Sequence, residues 1–410
     1  MLNNLHILWT SVTPSLETGY GRITYNVVSR LLEAGFDIIC YGLQTYGIRQ
    51  LLTTKGKTFP IVGTENAEFD MLLIDKMKKH MKENNRNCLL SLWDVWNLPK
   101  TFANEFPTWI PYIPLDAEIT DENYFISRNA FKRIAMSKFG QREFKKVLLD
   151  STYIPHGVDT TLYKPYTREE KLILKQQFGF PKDAFIIGTV GKNYFDRKRF
   201  DRMLQIFSLF VKRNNLKDAY LLMHTEGLPR EISTGYDIIR LANLCDVADY
   251  VSLPTRTNIP DGDMVASYNC MNVYLSTSAA EGFGLPIAEA QSCGTPAIVP
   301  DNSAQPEHVE GHGWIIPCSE WDCRLTTPLH NKWWMIDIEP AVKALEDAYE
   351  NRDKIETYGQ EARQFVVNNY DWKNVIENYW IPFLDQSEKD MLNHPIYRNW
   401  INSMKYWKTN

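Results

Sequence analysis

Nothing in this chain runs apolar for the roughly 20 residues that a membrane-spanning helix needs. Its seven cysteines make neither an even set nor a repeated spacing, which excludes a disulfide framework and predicts reduced thiols in a cytoplasmic protein, soluble or peripheral at a membrane surface. Cys318 and Cys323 are close in sequence, but no second Cys or His pair completes a zinc pattern. The N-terminus, Leu2 to Trp9, has neither the basic region nor the apolar run of a signal peptide. A basic domain is missing too: 45 Lys and Arg stand against 50 Asp and Glu. The part before position 160 is near neutral and the acidic excess lies beyond it, so no nucleic-acid partner is indicated. What is there is length, since 410 residues exceed one compact core and predict two domains.

The most informative stretch is Glu281-Gly-Phe-Gly-Leu-Pro-Ile-Ala-Glu289. Gly282 and Gly284 allow close backbone approach to a ligand, and Pro286 suits the first turn of a helix that Gly294 ends. The helix N-terminus and the amides of Phe283 to Leu285 would favour an anion. Glu289, one turn inside, reaches back toward the same point. Apolar runs at 272–278 and 296–300 read as strands on either side, which makes a strand, turn, helix, strand unit of an open α/β sheet. From the residues alone, sugar-phosphate chemistry and a solvated carboxylate pair at an ordinary turn are both open.

The rest of the chain alternates in the same way. A first strand near His6 to Thr10 leads through Gly19 and Gly21 into a helix with Ile23, Val27, Val28, Leu31 and Leu32 on one face. Here a phosphate-binding loop and a plain turn are both open. From Phe69 to Met81 apolar residues recur at helical spacing, with Lys76, Lys78, Lys79 and Lys82 opposite. Cys88 to Leu92 ends in Trp93 and Asp94, and an extended run through Tyr112 ends in Asp116. The strand Phe185 to Val190 is followed by Lys192, Arg197, Lys198 and Arg199, then by a helix with Met203, Leu204, Phe207 and Phe210 at core spacing.

Ser278 to Val299 resembles the donor-site signature of the retaining glycosyltransferases of family 4 (glycosyl transferases group 1), which have the GT-B fold. Tyr153 to Pro165, Ile187 to Arg199 and Ile134 to Gly140 are similar to further segments of that family in the same order. The resemblance implies two doubly wound Rossmann-like domains facing a central cleft. Their expected extents are 1–160 for acceptor binding and 161–380 for the nucleotide sugar, with 381–410 packing back on the first domain. It also implies transfer from a nucleotide-diphosphate sugar, UDP or GDP, to a hydroxyl of a glycan or glycoconjugate, with no cofactor. Under it Glu289 holds the ribose, Glu281 the donor-sugar hydroxyls, and the turn Gly282, Phe283, Gly284 and Leu285 the phosphate or sugar. Lys198, with Lys192 or Arg197 as the second cation, neutralises the diphosphate. Gly19 and Gly21 close over the phosphate from the opposite domain. Asp116, and less directly Asp94, lies beside the transferred sugar on the acceptor side. Trp93 and Tyr112 are acceptor-side candidates by their aromatic faces, with core packing the commoner role for each. The sequence departs from the family in having Lys192 where an Arg is usual.

Asp261-Gly-Asp263 reads as N-cap and first-turn charge on a helix rather than as a metal motif. His308 and His312 have the spacing of helical metal ligands, but Gly311 and Gly313 interrupt the helix, and no catalytic metal is expected. Glu307, in a loop after a strand end, is a candidate support residue. The basic helix at 69–82 and the tail with Trp400, Tyr406 and Trp407 leave a peripheral membrane contact open. A sugar-nucleotide epimerase and a non-catalytic nucleotide-sugar-binding protein are the alternative readings.

Overall fold

The computed structural model describes residues 5–16, 18–45, 47–64, 71–228, 235–254, 259–323 and 329–405. Phe69, Tyr406 and Trp407 lie outside the described residues. The chain divides into two units, Met1–Gly157 with Trp372–Asn410, and Val158–Asp371. The return to the first unit therefore starts at Trp372, ahead of the expected 381.

Among the described residues the first unit holds eight strands: β1 (His6–Val12), β2 (Asp37–Leu43), β3 (Ile48–Leu52), β4 (Thr58–Thr64), β5 (Cys88–Leu92), β6 (Trp109–Ile113), β7 (Ile134–Ala135) and β8 (Thr152–Tyr153). Their order is β3-β4-β2-β1-β5-β6-β7-β8, and only β3 pairs antiparallel, at the edge. β5 and β6 are buried along their whole length, as parallel strands covered on both faces must be. The helix Met71–Glu83 buries Leu73, Ile74, Met77 and Met81, which is the apolar stripe its spacing predicts. Trp372, Val375, Ile376, Trp380 and Leu384, from the first unit's second segment, are core residues, and Trp380 packs 5.7 Å from Trp9.

The second unit holds β9 (Phe185–Val190), β10 (Ala219–His224), β11 (Val251–Ser252), β12 (Val273–Leu275), β13 (Ala297–Pro300) and β14 (Trp314–Ile316), all parallel, in the order β11-β10-β9-β12-β13-β14. A separate antiparallel hairpin, β15 (Glu320–Cys323) with β16 (Lys332–Met335), follows β14. Strand order reverses between β9 and β12, and a doubly wound sheet binds its ligands at the carboxyl ends of the strands at that point. The helix Phe200–Arg213 packs Met203, Leu204, Phe207 and Phe210 into this unit's core. Where the chain enters and leaves the unit the two segments pair, Val158 bridging to Asp371 and donating to the Tyr370 carbonyl at 2.7 Å. Arg363 fixes the entry segment through the carbonyls of Thr160 (2.8 Å) and Tyr163 (2.7 Å).

Three expectations are corrected here. Asp261 and Asp263 are first-turn charges and not N-caps, because Pro260 occupies the N-cap of the helix Asp261–Cys270. Tyr112 is no acceptor-side residue: it is wholly buried on β6, its hydroxyl donates to the Ile154 carbonyl (3.0 Å), and Trp380 and His156 cover its ring edge-on. Gly19 and Gly21 are not in a loop but in the first turn of the helix Gly19–Glu33, whose N-cap Thr18 accepts from the Gly21 amide at 3.1 Å. That amide is thereby taken. The glycine is needed for packing, since a Cβ on Gly21 would stand 2.1 Å from the Leu16 carbonyl oxygen and 2.9 Å from that of Thr13. Gly21→Ala should therefore lower the free energy of unfolding by at least about 1 kcal/mol, overpacking outweighing the roughly 1 kcal/mol alanine gains in a helix. Urea midpoints test this. Unchanged stability with weaker nucleotide binding would return Gly21 to a phosphate role.

Candidate active site

The site grows from the carboxyl ends of β9 and β12. After β9 the chain passes Lys192 and Asn193. Buried Asn193 staples the loop by donating to the Glu226 carbonyl (3.0 Å) and the Tyr236 carbonyl (2.7 Å) and accepting from the Tyr236 amide. The loop ends at Arg199, whose φ of 49° turns the chain into the helix Phe200–Arg213. After β12, Thr277 donates to the Lys198 carbonyl at 2.8 Å and the Ala279 amide to the Arg197 carbonyl at 2.8 Å. The two loops are thus laced together before any charge is considered.

That lacing brings three ionic side chains to one point. Lys198 Nζ lies 2.6 Å and Arg197 Nη1 3.0 Å from the same Glu281 oxygen, and Arg197 also donates to the Ala280 carbonyl at 2.6 Å. The Glu281 amide donates to Ser303 Oγ at 2.9 Å, which fixes the backbone under the carboxylate. Burial opposes ionisation of Glu281, but Arg197 and Lys198 prevail and hold its pKa at about 2. Burial pulls the Lys198 pKa below its ordinary value, and Glu281 offsets only part of that. One carboxylate faces two cations, so the cluster keeps a positive charge for an incoming anion. Lys192 is not brought in: it is exposed, with Nζ 5.0 Å from the Tyr194 ring centroid. Of the two competitors for the second cation, Arg197 is the one at the carboxylate.

The turn after Glu281 has the shape its glycines suggest. Gly284 sits at φ +97°, a left-handed conformation that disfavours any side chain, and forms the N-cap of the helix Leu285–Ser292 with Pro286 in its first turn. No side chain caps that helix, so its N-terminus keeps its attraction for an anion. Glu289, only 3% exposed, accepts from the Tyr268 hydroxyl at 2.8 Å. Glu307 is half-buried in the short turn Gln305–His308.

His308 holds the turn from behind. Its Nε2 lies 2.5 Å from the Phe283 carbonyl; a carbonyl only accepts, so that nitrogen carries the proton. The ring packs against Phe283 (4.8 Å) and Tyr370 (5.3 Å), and among the described residues buried Nδ1 has no hydrogen-bond partner. Burial lowers the pKa to about 4 against the Phe283 hydrogen bond. The unfolded chain, with an ordinary value near 6.5, takes up this proton first as pH falls. The stability it contributes is complete above about pH 6.5 and is lost as pH falls toward 4, about 3 kcal/mol in all. Urea unfolding from pH 7 to 4 should show that loss in the native chain and a flatter profile in His308→Gln, whose amide keeps the bond to Phe283. Parallel profiles would remove His308 as the source.

The spacing of His308 and His312 suggested metal ligation at most, whereas His312 Nε2 donates to the His308 carbonyl at 2.7 Å. Among the described residues no group of three His, Cys, Asp or Glu is placed to hold a metal. Sequence reasoning missed His308, Tyr268 and Ser303, whose roles depend on contacts 25, 21 and 22 residues away. In the first unit Trp93 and Asp94 are half-buried just after β5, Trp93 stacking with Tyr20 at 6.1 Å, and Asp116 is half-buried after β6.

Residues 184–323 match the family model described as "Glycosyl transferases group 1". Through this segment the chain is similar to that family. The group 1 segment contains Arg197, Lys198, Glu281, Gly284, Glu289 and His308. A D-inositol 3-phosphate glycosyltransferase of Thermobifida fusca is 31% identical over 153 residues, 36% of this chain and 33% of the relative. The chain thus spans about a third of that curated relative's length. Among solved structures, a sucrose-phosphate synthase from Thermosynechococcus elongatus superposes with a TM-score of 0.73 at 15% identity, covering 93% of this chain and 99% of that one. An Anabaena protein solved with UDP and glucose gives 0.69 at 14% identity, covering 93% and 100%. These likenesses show the fold, the two-domain GT-B type. No helix among the described residues is long and apolar enough to cross a membrane.

Proposed function

We propose that this group 1 protein is a retaining glycosyltransferase that moves a hexosyl unit from a nucleotide-diphosphate sugar to an acceptor hydroxyl without a catalytic metal. The observation that carries the reading is the Arg197–Lys198–Glu281 cluster, positive by one charge, beside the uncapped helix N-terminus at Gly284. Breaking the glycosidic bond places negative charge on the departing diphosphate. Cations already held in a buried site stabilise that charge without reorganising as it develops. Glu281 orients both cations and, in this reading, contacts donor-sugar hydroxyls, while Glu289 holds the ribose and the amides of Phe283 to Leu285 the phosphate or sugar. Asp94, Asp116 and Trp93 remain the acceptor-side candidates. UDP is the first nucleotide to test, since the Anabaena protein of the same fold was solved with it.

A thermal-shift screen of UDP, GDP and their sugars tests donor binding, because a ligand raises stability by RT ln(1 + [L]/Kd). Release of nucleotide diphosphate on adding acceptor tests transfer, and the anomeric configuration of the product by NMR tests retention. Interconversion of the sugar nucleotide without acceptor would instead make the protein an epimerase. Binding with no turnover would make it a carrier. Loss of transfer after dialysis against chelator, restored by a divalent ion, would overturn metal independence.

A further inference from the structure

The hairpin β15–β16 has two unlike faces. Its register pairs Glu320 with Met335 and Asp322 with Trp333 on one face, and Trp321 with Trp334 and Cys323 with Lys332 on the other. The first face points into the unit: Trp333 and Met335 are buried, Asp322 pairs with Arg199 at 2.6 Å, and Glu320 pairs with Arg202. The second face points outward, and Trp321 is 47% exposed. Lys332 Nζ lies 5.0 Å from the Trp321 ring centroid and 5.8 Å from that of Trp334, and among the described residues no carboxylate pairs with it. One exposed indole, one half-buried indole and the ammonium that lies over both therefore share one surface.

This surface is tied to the anion cluster at both strands. On β16, Asn302 Nδ2 donates to the Trp334 carbonyl at 2.7 Å, and Asn302 Oδ1 accepts from Ser303 Oγ, which in turn accepts from the Glu281 amide. On β15, Asp322 holds Arg199, the neighbour of Lys198.

We propose that the outward face of β15–β16 is a sugar-binding subsite for an acceptor glycan whose bound unit carries an anionic group, a carboxylate or a phosphate. Indole faces suit the apolar C–H surface of a pyranose. The cation–π contacts hold the ammonium over the rings, where it meets an anionic substituent of a sugar packed on the exposed part of Trp321. The identification of the ligand as an acceptor rests on the glycosyl-transfer reading; the subsite itself does not.

Calorimetric titration of the full chain tests it with three probes: a tetrasaccharide alternating glucuronate and N-acetylglucosamine, glucose 6-phosphate, and neutral chitotetraose. At least one acidic probe should bind about three- to fivefold more tightly than chitotetraose, the scale of an exposed ion pair. Lys332→Ala should erase that preference, and Trp321→Ala should weaken the acidic probe about tenfold, the scale of one aromatic contact. The stronger acidic probe assigns carboxylate or phosphate. Both substitutions are on the surface, and an unchanged Tm confirms the fold. No preference for either acidic probe, or full binding by Trp321→Ala, overturns the subsite. UDP titrated into the same preparations separates the two readings: UDP binding with no sugar binding sinks the subsite alone, and sugar binding with no UDP binding sinks the donor reading alone.

Discussion

Lys198→Ala should lower turnover by about 10² to 10³, the cost of removing one preorganised electrostatic donor from a transition state, and it should also weaken the fold. Lys198 and Glu281 have side chains only 12% and 11% exposed. Removing one partner of a buried pair commonly costs about 3–5 kcal/mol, because the other charge stays behind in low dielectric. Arg197 remains 3.0 Å from Glu281, which places the stability loss at the lower end of that range. The two effects are separable by measuring turnover well below the melting temperature and unfolding in urea. Lys198→Arg, which keeps the charge, should recover most of the stability but less of the rate, since a guanidinium presents its donors in a different geometry. Full turnover by Lys198→Ala would take the residue out of the chemistry and leave it a structural ion.

Glu289→Gln is expected to weaken UDP binding about 10- to 100-fold while leaving the fold intact. The Gln carbonyl can still accept from the Tyr268 hydroxyl, so no buried donor is orphaned. What is lost is the charge, and a hydrogen bond to a charged group is worth about 1.5–3 kcal/mol, which is that range of affinity. Burial, then the Glu289 charge, keeps the Tyr268 hydroxyl protonated well above its ordinary range, so the tyrosine cannot replace the missing anion. Calorimetric titration of UDP checks the expectation. Unaltered affinity would make Glu289 a core residue that serves to hold Tyr268.

The alternation of strand and helix was legible because it rests on local periodicity. Core-facing spacing marked Met203, Leu204, Phe207 and Phe210 and the stripe of Met71–Glu83 before any coordinates. The turn at Gly284 was legible because positive φ is written in glycine. What was not legible depends on which loops meet. Arg197 and Lys192 were equal on paper; the lacing of 197–199 to 277–280 separates them. For Tyr112 stacking on an acceptor and core packing were both open, because an aromatic at a strand end is common to cores and sites alike, and the return of Trp380 shows that it is covered. Gly21 resembled a phosphate loop because close approach to a ligand and close approach to Leu16 demand the same residue. His308 was weighed only by its distance in sequence from His312, whereas its work is done on Phe283.

The second unit comprises residues 158–371, while the first is finished only by Trp372 onward, with Trp380 against Trp9. On the ribosome the usual order, N-terminal domain first, is therefore inverted. When residue 371 has emerged, the second unit has its whole sequence, yet the sheet begun at His6 still lacks Trp372, Val375, Ile376, Trp380 and Leu384. The first unit must wait, partly folded, until the residues from Trp372 onward are made. A chain stopped at 371 would release a complete second unit attached to an unfinished first one, marked for aggregation by the apolar surface it could not cover.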